Sequence, residues 1–524
     1  MKTPSSSQRT RNTRRNILFG LIKTAVSLLL PFVTRSVLIY RFGTEYVGLN
    51  SLFSSVLQVL NLAELGFGTA IVFSLYRPMA ENDTDTVCAY LSYYRRVYRV
   101  VGGVVLALGL ALIPVLPHLI KGGAVPGGLS LTLCYLIFLG DSVLSYLLFG
   151  YLTAVPTAMQ RGDILSRLDT GIVALKNLVQ ILLLLFAGSF YWYLLSAPVL
   201  TVIRNLLVAR TVRRRFPAYR CRGELAEDRR RLLRKKIYGL FINKLFAISR
   251  NSIDNLCISA FLGLTLAGIY SNYYMVLAGL VGISGVLSSS MIPSVGNSIA
   301  TETREKNYGD MRKFDFLYTG LAGWAAVCLL CLCQPFMRLW MGEGRMLGWP
   351  EVFALSLYFY LLKCGDLRWF YHEGAGLWWE SRWISVTEAA ANVILNILLC
   401  RYLGVFGIIL ATLLTLFFLN FLPCPVILFR YYFKNDKLGE YFRDHLLYFL
   451  TLLPGGALCF LLCLLPGEGV AAFALRALLC LVVPGPIYWL FWRRTERYAQ
   501  AVSWLKQAKL LRLPRRRSAD NTKK

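Results

Sequence analysis

The 524-residue chain is 56% apolar with a mean hydropathy of +0.53, yet it carries 57 Lys and Arg against 28 Asp and Glu, a formal net charge of +29. That combination excludes an ordinary soluble domain. It suits a polytopic membrane protein whose basic residues gather on one side of the bilayer.

A basic stretch, 1–15, opens the chain with Lys2, Arg9, Arg11, Arg14 and Arg15. About fourteen apolar runs of roughly 20 residues or more follow, each long enough to cross a bilayer as a helix. They fall at 16–40, 46–76, 97–119, 129–154, 168–187, 190–209, 237–262, 266–293, 314–336, 350–370, 383–400, 404–430, 443–464 and 470–492. The first run is too long for a cleavable signal peptide and has no small-residue cleavage site. The fold expected is all-α, with about 14 transmembrane helices. Helices 1–6 form an N-lobe at 16–210, helices 7–12 a C-lobe at 237–431, and helices 13 and 14 occupy 432–492. A basic linker, 211–236, joins the lobes, and a basic tail, 493–524, opens as an amphipathic helix around Trp504, Leu505, Leu510 and Leu511.

Basic residues test this weave. With the N-terminus inside, the inner loops and termini hold roughly 43 Lys and Arg, and the outer loops roughly 5 (Arg41, Lys121, Arg338, Arg345 and Arg401). Both termini therefore belong in the cytoplasm. Basic clusters also suit nucleic acid, but charges spread over many loops that share only a membrane side are explained by anionic headgroups. Membrane lipids are expected partners, and nucleic acid is not.

The first half echoes in the second at an offset of 220 residues: Gly43-x4-Gly48-Leu49-x-Ser51 returns as Gly263-x4-Gly268-Ile269-x-Ser271. Arg14-Arg15 before the first run matches Arg234-Lys235-Lys236 before the seventh. Six runs separate the copies, so both halves start on the same face. The reading is a parallel repeat with a pseudo-twofold axis along the membrane normal.

Ionisable residues lie inside the runs: Lys23, Arg35, Glu64, Asp141, Lys176, Lys244, Arg250, Asp254, Lys363 and Glu388. Facing lipid, each would cost roughly 2.5–3.5 kcal/mol at mid-helix. They must face one another or water, and a hydrated cavity between two lobes satisfies that requirement. On an ideal helix Asn50, Asn61 and Glu64 fall within about 60° of one another, and Glu388, Asn392 and Asn396 form an i, i+4, i+8 stripe. Arg250 and Asp254 are i, i+4 neighbours that can neutralise each other. Lys23, Arg35 and Lys244 have no acidic neighbour on their own helices and are candidates to line a path. Tyr270, Asn272, Tyr273 and Tyr274 suit an aromatic belt or sugar stacking. Pro31, and Gly66 with Gly68 just after Glu64, mark helices expected to bend or break beside a cavity.

The thirteen cysteines do not read as a disulfide framework. Cys328, Cys331, Cys333, Cys400, Cys424, Cys459, Cys463 and Cys480 sit in apolar runs as small apolar side chains, and Cys328-x-x-Cys331 matches a redox or metal motif in letters only. With three His there is no zinc spacing, so no metal and no cofactor is expected. No Walker A motif is present. Asp83-Thr84-Asp85 spells the D-x-D of metal-nucleotide enzymes, but it sits in a short loop without a soluble domain, and no catalytic residue is assigned.

The chain resembles the Wzx-type lipid-linked oligosaccharide flippases, polysaccharide transporters of the multidrug/oligosaccharidyl-lipid/polysaccharide (MOP) exporter superfamily, through residue 492. The marks are Gly-Leu-Asn-Ser-Leu-Phe 48–53, Ala-Glu-Leu-Gly-Phe-Gly-Thr-Ala 63–70, Ser-Ile-Asp-Asn 252–255, Gly-Ile-Tyr-Ser-Asn-Tyr-Tyr 268–274, Ser-Val-Gly-Asn 294–297, and Glu388 with Asn392 before Leu-Gly-Val-Phe-Gly 403–407. The resemblance implies a two-lobed, non-enzymatic transporter of a bacterial cytoplasmic membrane. Its cargo would be an undecaprenyl-diphosphate-linked oligosaccharide moved from the inner to the outer leaflet. It also implies a cavity role for Arg35, Glu64, Lys244, Asp254, Asn272 and Glu388. On physical grounds Lys23, Arg250 and Asn392 join them as substrate-binding candidates, and Glu64 or Asp254 is the candidate for ion coupling. Three competing readings are an antiporter for cationic drugs, which would want an acidic cavity, a membrane glycan polymerase or glycosyltransferase, and a scaffold for polysaccharide assembly proteins, which would then be partners.

Overall fold

In a computed structural model of the chain, every regular element among the described residues is a helix. The structure describes residues 6–64, 67–123, 125–377 and 379–507, excepting the side chains of 6–17, 21, 62, 63, 69, 235, 236, 238–251, 286–290, 293, 505 and 507. The helices run α1 Ser6–Phe42, α2 Thr44–Leu60, α3 Phe67–Ala80, α4 Thr84–Ala111, α5 Leu131–Leu147, α6 Ala154–Ala158, α7 Gly162–Phe186, α8 Phe190–Arg215, α9 Glu227–Phe261 and α10 Leu264–Thr301. They continue as α11 Arg304–Met341, α12 Trp349–Cys364, α13 Asp366–Gly374, α14 Arg382–Leu416, α15 Pro423–Ile427, α16 Leu438–Leu464, α17 Val470–Val482, α18 Pro484–Trp492 and α19 Glu496–Gln507.

Among the described residues eight helical segments are long and apolar enough to cross a membrane, or up to ten if each of two bent pairs is one span. The chain is thus a multi-pass membrane protein. The shortfall from about fourteen spans has local causes. The bent pairs are α4 with the 3-10 helix Ile113–Leu119, and α5 with the segment Gly150–Ala158. The run 46–76 is broken by a 3-10 turn, Asn61–Glu64, into helices of 17 and 14 residues. The run 237–262 carries three charges, and α12 is only 16 residues long before Gly365. The runs 383–400 and 404–430 fuse into one 52-residue segment, bent at Gly404, where φ is 58° and ψ −136°. By contrast α1 passes through Pro31 as one helix.

The chain packs as two compact units. The first comprises Met1–Ser284, Trp340–Leu347 and Ser381–Thr415. In it α1 packs along α7, α5 along α8, and α2 along α9. Its buried interior includes Leu49, Leu52, Phe53 and Tyr135. The second comprises Gly285–Leu339, Gly348–Glu380 and Leu416–Lys524. One of its cores joins Phe316, Tyr448, Trp492 and Ala501. Two of its buried charges are ion-paired: Lys363 Nζ lies 2.8 Å from Asp366 Oδ2, and Asp444 receives Arg312 Nε at 2.8 Å and Arg497 at 2.5 Å. Buried Arg368 instead donates to the Phe421 carbonyl at 3.0 Å and to Asn420 Oδ1 at 2.8 Å. On α17 the apolar Leu475, Leu478, Leu481 and Val482 stand exposed, as lipid-facing residues must.

Candidate functional site

Two helix starts set the geometry of the site. Gly43 (φ 112°) and Gly263 (φ 104°), matched by the 220-residue offset, hold the positive φ that suits glycine just before α2 and α10. A methyl group on Gly48 would strike the Leu264 carbonyl oxygen, and one on Gly268 would strike the Thr44 carbonyl oxygen. Thr265 Oγ1 donates to Glu45 Oε1 at 3.2 Å. Thr44 pairs with Leu264, Glu45 with Thr265 and Gly48 with Gly268 at the same offset, and the glycine contacts are reciprocal. A local twofold axis produces such contacts.

This close contact brings Ser51 and Ser271, also equivalent by the repeat, to the guanidinium of Arg35 on α1. Arg35 donates to Ser271 Oγ at 2.5 Å, to the Ser271 carbonyl at 3.2 Å and to Ser51 Oγ at 3.3 Å, with Met275 Sδ at 3.4 Å. No carboxylate pairs with it among the described residues. The position equivalent to Arg35 in the second copy is Asn255, so the repeat places its charge on one side only.

Arg35 and Asn255 both line a cavity of about 900 Å³ within the first unit. Its walls come from α1, α2, α5, α7 and α8, with Asn255 of α9 and Ser271, Tyr274 and Met275 of α10. The lining is rich in hydroxyls and amides, among them Asn50, Ser54, Gln58, Asn177, Gln180 and Thr201. Its charged residues are Arg35, Lys176 and Asp141. Asp141 accepts from Thr201 Oγ1 at 2.5 Å, and Lys176 has no carboxylate partner among the described residues. The lining is therefore net positive, and one carboxylate gives no acid cluster for a metal. Pro31 lines the cavity beside Ser27, the residue four positions back whose carbonyl loses its helical donor to the proline. Bordering a polar cavity, that carbonyl can be satisfied without breaking the helix.

The remaining candidates fall elsewhere. Lys23 does not line the cavity: its Nζ pairs with Asp169 Oδ2 of α7 at 2.7 Å, and Asp169 Oδ1 also accepts from Arg204 Nε of α8 at 2.8 Å. Its partner sits on another helix, which corrects the reading of Lys23 as an isolated cation lining a path. Glu64 also lies off the cavity wall and accepts from Tyr98 Oη at 2.5 Å, with Tyr94 Oη donating to Tyr98 at 2.7 Å. Asn50 and Asn61 do line it. A 3-10 turn advances about 120° per residue, so Glu64 eclipses Asn61 on the helical wheel, yet its carboxylate is held by Tyr98 of α4.

Asp254 belongs to a second, buried polar cluster in the same unit. Asn396 Nδ2 donates to its Oδ1 at 2.8 Å and Tyr270 Oη to its Oδ2 at 3.2 Å. Asn396 also donates to Asn392 Oδ1 at 3.2 Å, and Asn392 to Thr412 at 3.1 Å and Thr415 at 3.4 Å. The Asn392 and Asn396 stripe thus forms one face as expected, and Glu388 is buried one turn before it. Asn272 is fully buried, with its amide against Met341 Sδ at 3.4 Å. The side chains of Lys244 and Arg250 lie outside the described residues. Ser54 and Gln58 of α2 and Asn177 and Gln180 of α7 are the part of the polar wall not marked in the sequence. On α2 the signal is their helical spacing with Asn50 and Asn61, which were marked.

No protein-family model matches the chain, and no curated protein does. Among solved structures it is similar to the lipid II flippase MurJ in an inward closed conformation, with TM-score 0.64 and 14% identity over 91% of this chain and 99% of that one. An inward-facing multidrug resistance MATE-family transporter of the MOP superfamily gives 0.59 and 13% over 81% and 99%. A MOP-superfamily transporter from Pyrococcus furiosus, described as having a binding pocket of reverse polarity, gives 0.53 and 14% over 82% and 97%. The chain therefore has the all-α membrane fold of these structures.

Proposed function

We propose that the chain is a flippase of the Wzx type. It carries an undecaprenyl-diphosphate-linked oligosaccharide from the inner to the outer leaflet of a bacterial cytoplasmic membrane by alternating access, with both termini in the cytoplasm. The observation that carries this reading is Arg35. It stands in a large polar cavity with neutral partners, so a diphosphate can replace serine hydroxyls without displacing an acid. A guanidinium grips phosphate through two parallel charge-assisted bonds. The hydroxyl and amide walls offer donors and acceptors to sugars. The similarity to MurJ, described as a lipid II flippase, agrees with a lipid cargo.

Lys176 is the second cation for the headgroup. Glu64 and Asp254 are the groups through which an ion gradient would act. Lys244, Arg250, Asn272, Glu388 and Asn392 remain candidates for a path beyond the cavity. The drug-antiporter reading needs an acidic cavity, and the net positive lining disfavours it. Deleting the gene in its native host tests the proposal. A flippase predicts that a lipid-linked oligosaccharide accumulates on the inner leaflet, whereas an unchanged lipid-linked pool would overturn the assignment.

A further inference from the structure

Four of the cysteines read as apolar filler meet in the second unit. Cys331 of α11, Cys459 and Cys463 of α16 and Cys480 of α17 are buried, and their sulfurs all lie within 4.8 Å of one another. Cys459 Sγ is 4.0 Å from Cys331 Sγ and 3.8 Å from Cys480 Sγ. A disulfide needs about 2.05 Å. Four sulfurs each about 2.3 Å from a central zinc form a tetrahedron with edges of about 3.8 Å. Only Cys459 and Cys463 are close in sequence. The other two arrive on separate helices, so the group is a cluster around a point and not a stripe on one helix.

A second observation concerns charge. Arg476, one turn before Cys480, donates from Nε to the Cys463 carbonyl at 2.9 Å and from a terminal nitrogen to the Pro466 carbonyl at 2.6 Å. No carboxylate pairs with it among the described residues. These carbonyls close the C-terminal end of α16, where a cation is favoured, and thiolates at the cluster would add a full negative charge beside it. The scaffold is also pinned: Trp324 Nε1 of α11 donates to the Cys480 carbonyl at 2.9 Å, tying α11 to α17 beside the sulfurs.

We propose that Cys331, Cys459, Cys463 and Cys480 form a binding site for a thiophilic metal ion, zinc(II) or copper(I). Each thiol that becomes a ligand loses its proton to water as the metal–sulfur bond forms. With zinc(II) and four thiolates the cluster carries a net charge of −2, half offset by Arg476. With copper(I) held by two of the four as thiolates, the other two keeping their protons and not ligating, it carries −1, which Arg476 cancels. Both ions favour soft sulfur ligands. Zinc would clamp α11, α16 and α17 together.

The test uses the full chain in lipid nanodiscs, stripped with chelator under reducing conditions. Separate samples are then equilibrated with zinc(II), or with copper(I) buffered by a competing chelator, and metal is counted by mass spectrometry. The expected result is one equivalent of zinc or copper per chain, falling at least about tenfold in Cys459→Ser and in Cys480→Ser and unchanged in Cys134→Ser of the first unit. Which ion is retained identifies the metal. Wild-type protein that holds neither ion above the level of the serine variants overturns the proposal. Should the serine variants fail to fold, alkylation of the wild type decides: bound metal must protect the thiols of this cluster that ligate it, and equal labelling with and without both metals overturns it as well.

Discussion

Gly48 of α2 and Gly268 of α10 each lie against the other helix's first turn, Gly48 on Leu264 and Gly268 on Thr44, in a reciprocal contact with no space for a methyl group. The same substitution should therefore act with opposite signs in two places. Gly48→Ala and Gly268→Ala force the helices apart, at about 1–3 kcal/mol each. Gly171→Ala, inside α7 with nothing within 4 Å of the added carbon, should be neutral or stabilising by up to about 1 kcal/mol. Thermal unfolding of the three variants in detergent is the measurement. Equal effects would refute the close contact.

Arg35 bridges the equivalent Ser51 and Ser271, and its own equivalent is Asn255. Arg35→Ala should lower export per folded molecule by about 10–100-fold, the worth of hydrogen bonds to a charged group at about 1.5–3 kcal/mol. Arg35→Lys keeps the charge but loses the fork and should fall between. Ser51→Ala and Ser271→Ala together should cost little, because their bonds to Arg35 are the ones the cargo replaces. Export assays at matched protein levels separate the four.

Lys23 should behave as structure. Asp169 joins Lys23 and Arg204 across α1, α7 and α8, so Asp169→Ala removes the shared partner of two half-exposed cations and should cost about 1–3 kcal/mol, seen as loss of folded protein. Removing Lys23 as well should recover part of that loss. Lys23→Met alone should leave export per folded molecule near the wild-type rate. A collapse of export with unchanged protein levels would return Lys23 to the transport path.

Much of this was legible in the sequence, and the limits have physical causes. Apolar length located the helices, and the matched glycines marked a repeat; that the two copies touch at those glycines shows only in the structure. Arg35 was marked because a cation in an apolar run needs water or a partner. Lys23 was misplaced by the same logic, since its partner Asp169 lies 146 residues away on another helix. Glu64 was misplaced for the same reason, since its donor Tyr98 lies 34 residues away on another helix. The cysteine cluster was invisible because three helices build it and only the Cys459 and Cys463 spacing shows along the chain.

Asp254 and Glu64 divide the question of coupling. Among the described residues Asp254 accepts from Asn396 and Tyr270, and Glu64 accepts from Tyr98. Asp254→Asn and Glu64→Gln keep shape and remove charge. If either group couples transport to an ion gradient, its variant should flip cargo at the same rate with and without the gradient, while the other retains the dependence. Reconstituted proteoliposomes with imposed proton or sodium gradients measure this.

The most direct measurement is the affinity of purified protein in nanodiscs for a short-chain polyprenyl diphosphate, compared with the corresponding monophosphate. Wild type and Lys23→Met should prefer the diphosphate alike, and Arg35→Ala should bind it about tenfold more weakly. Equal diphosphate affinity in wild type and Arg35→Ala would contradict the account.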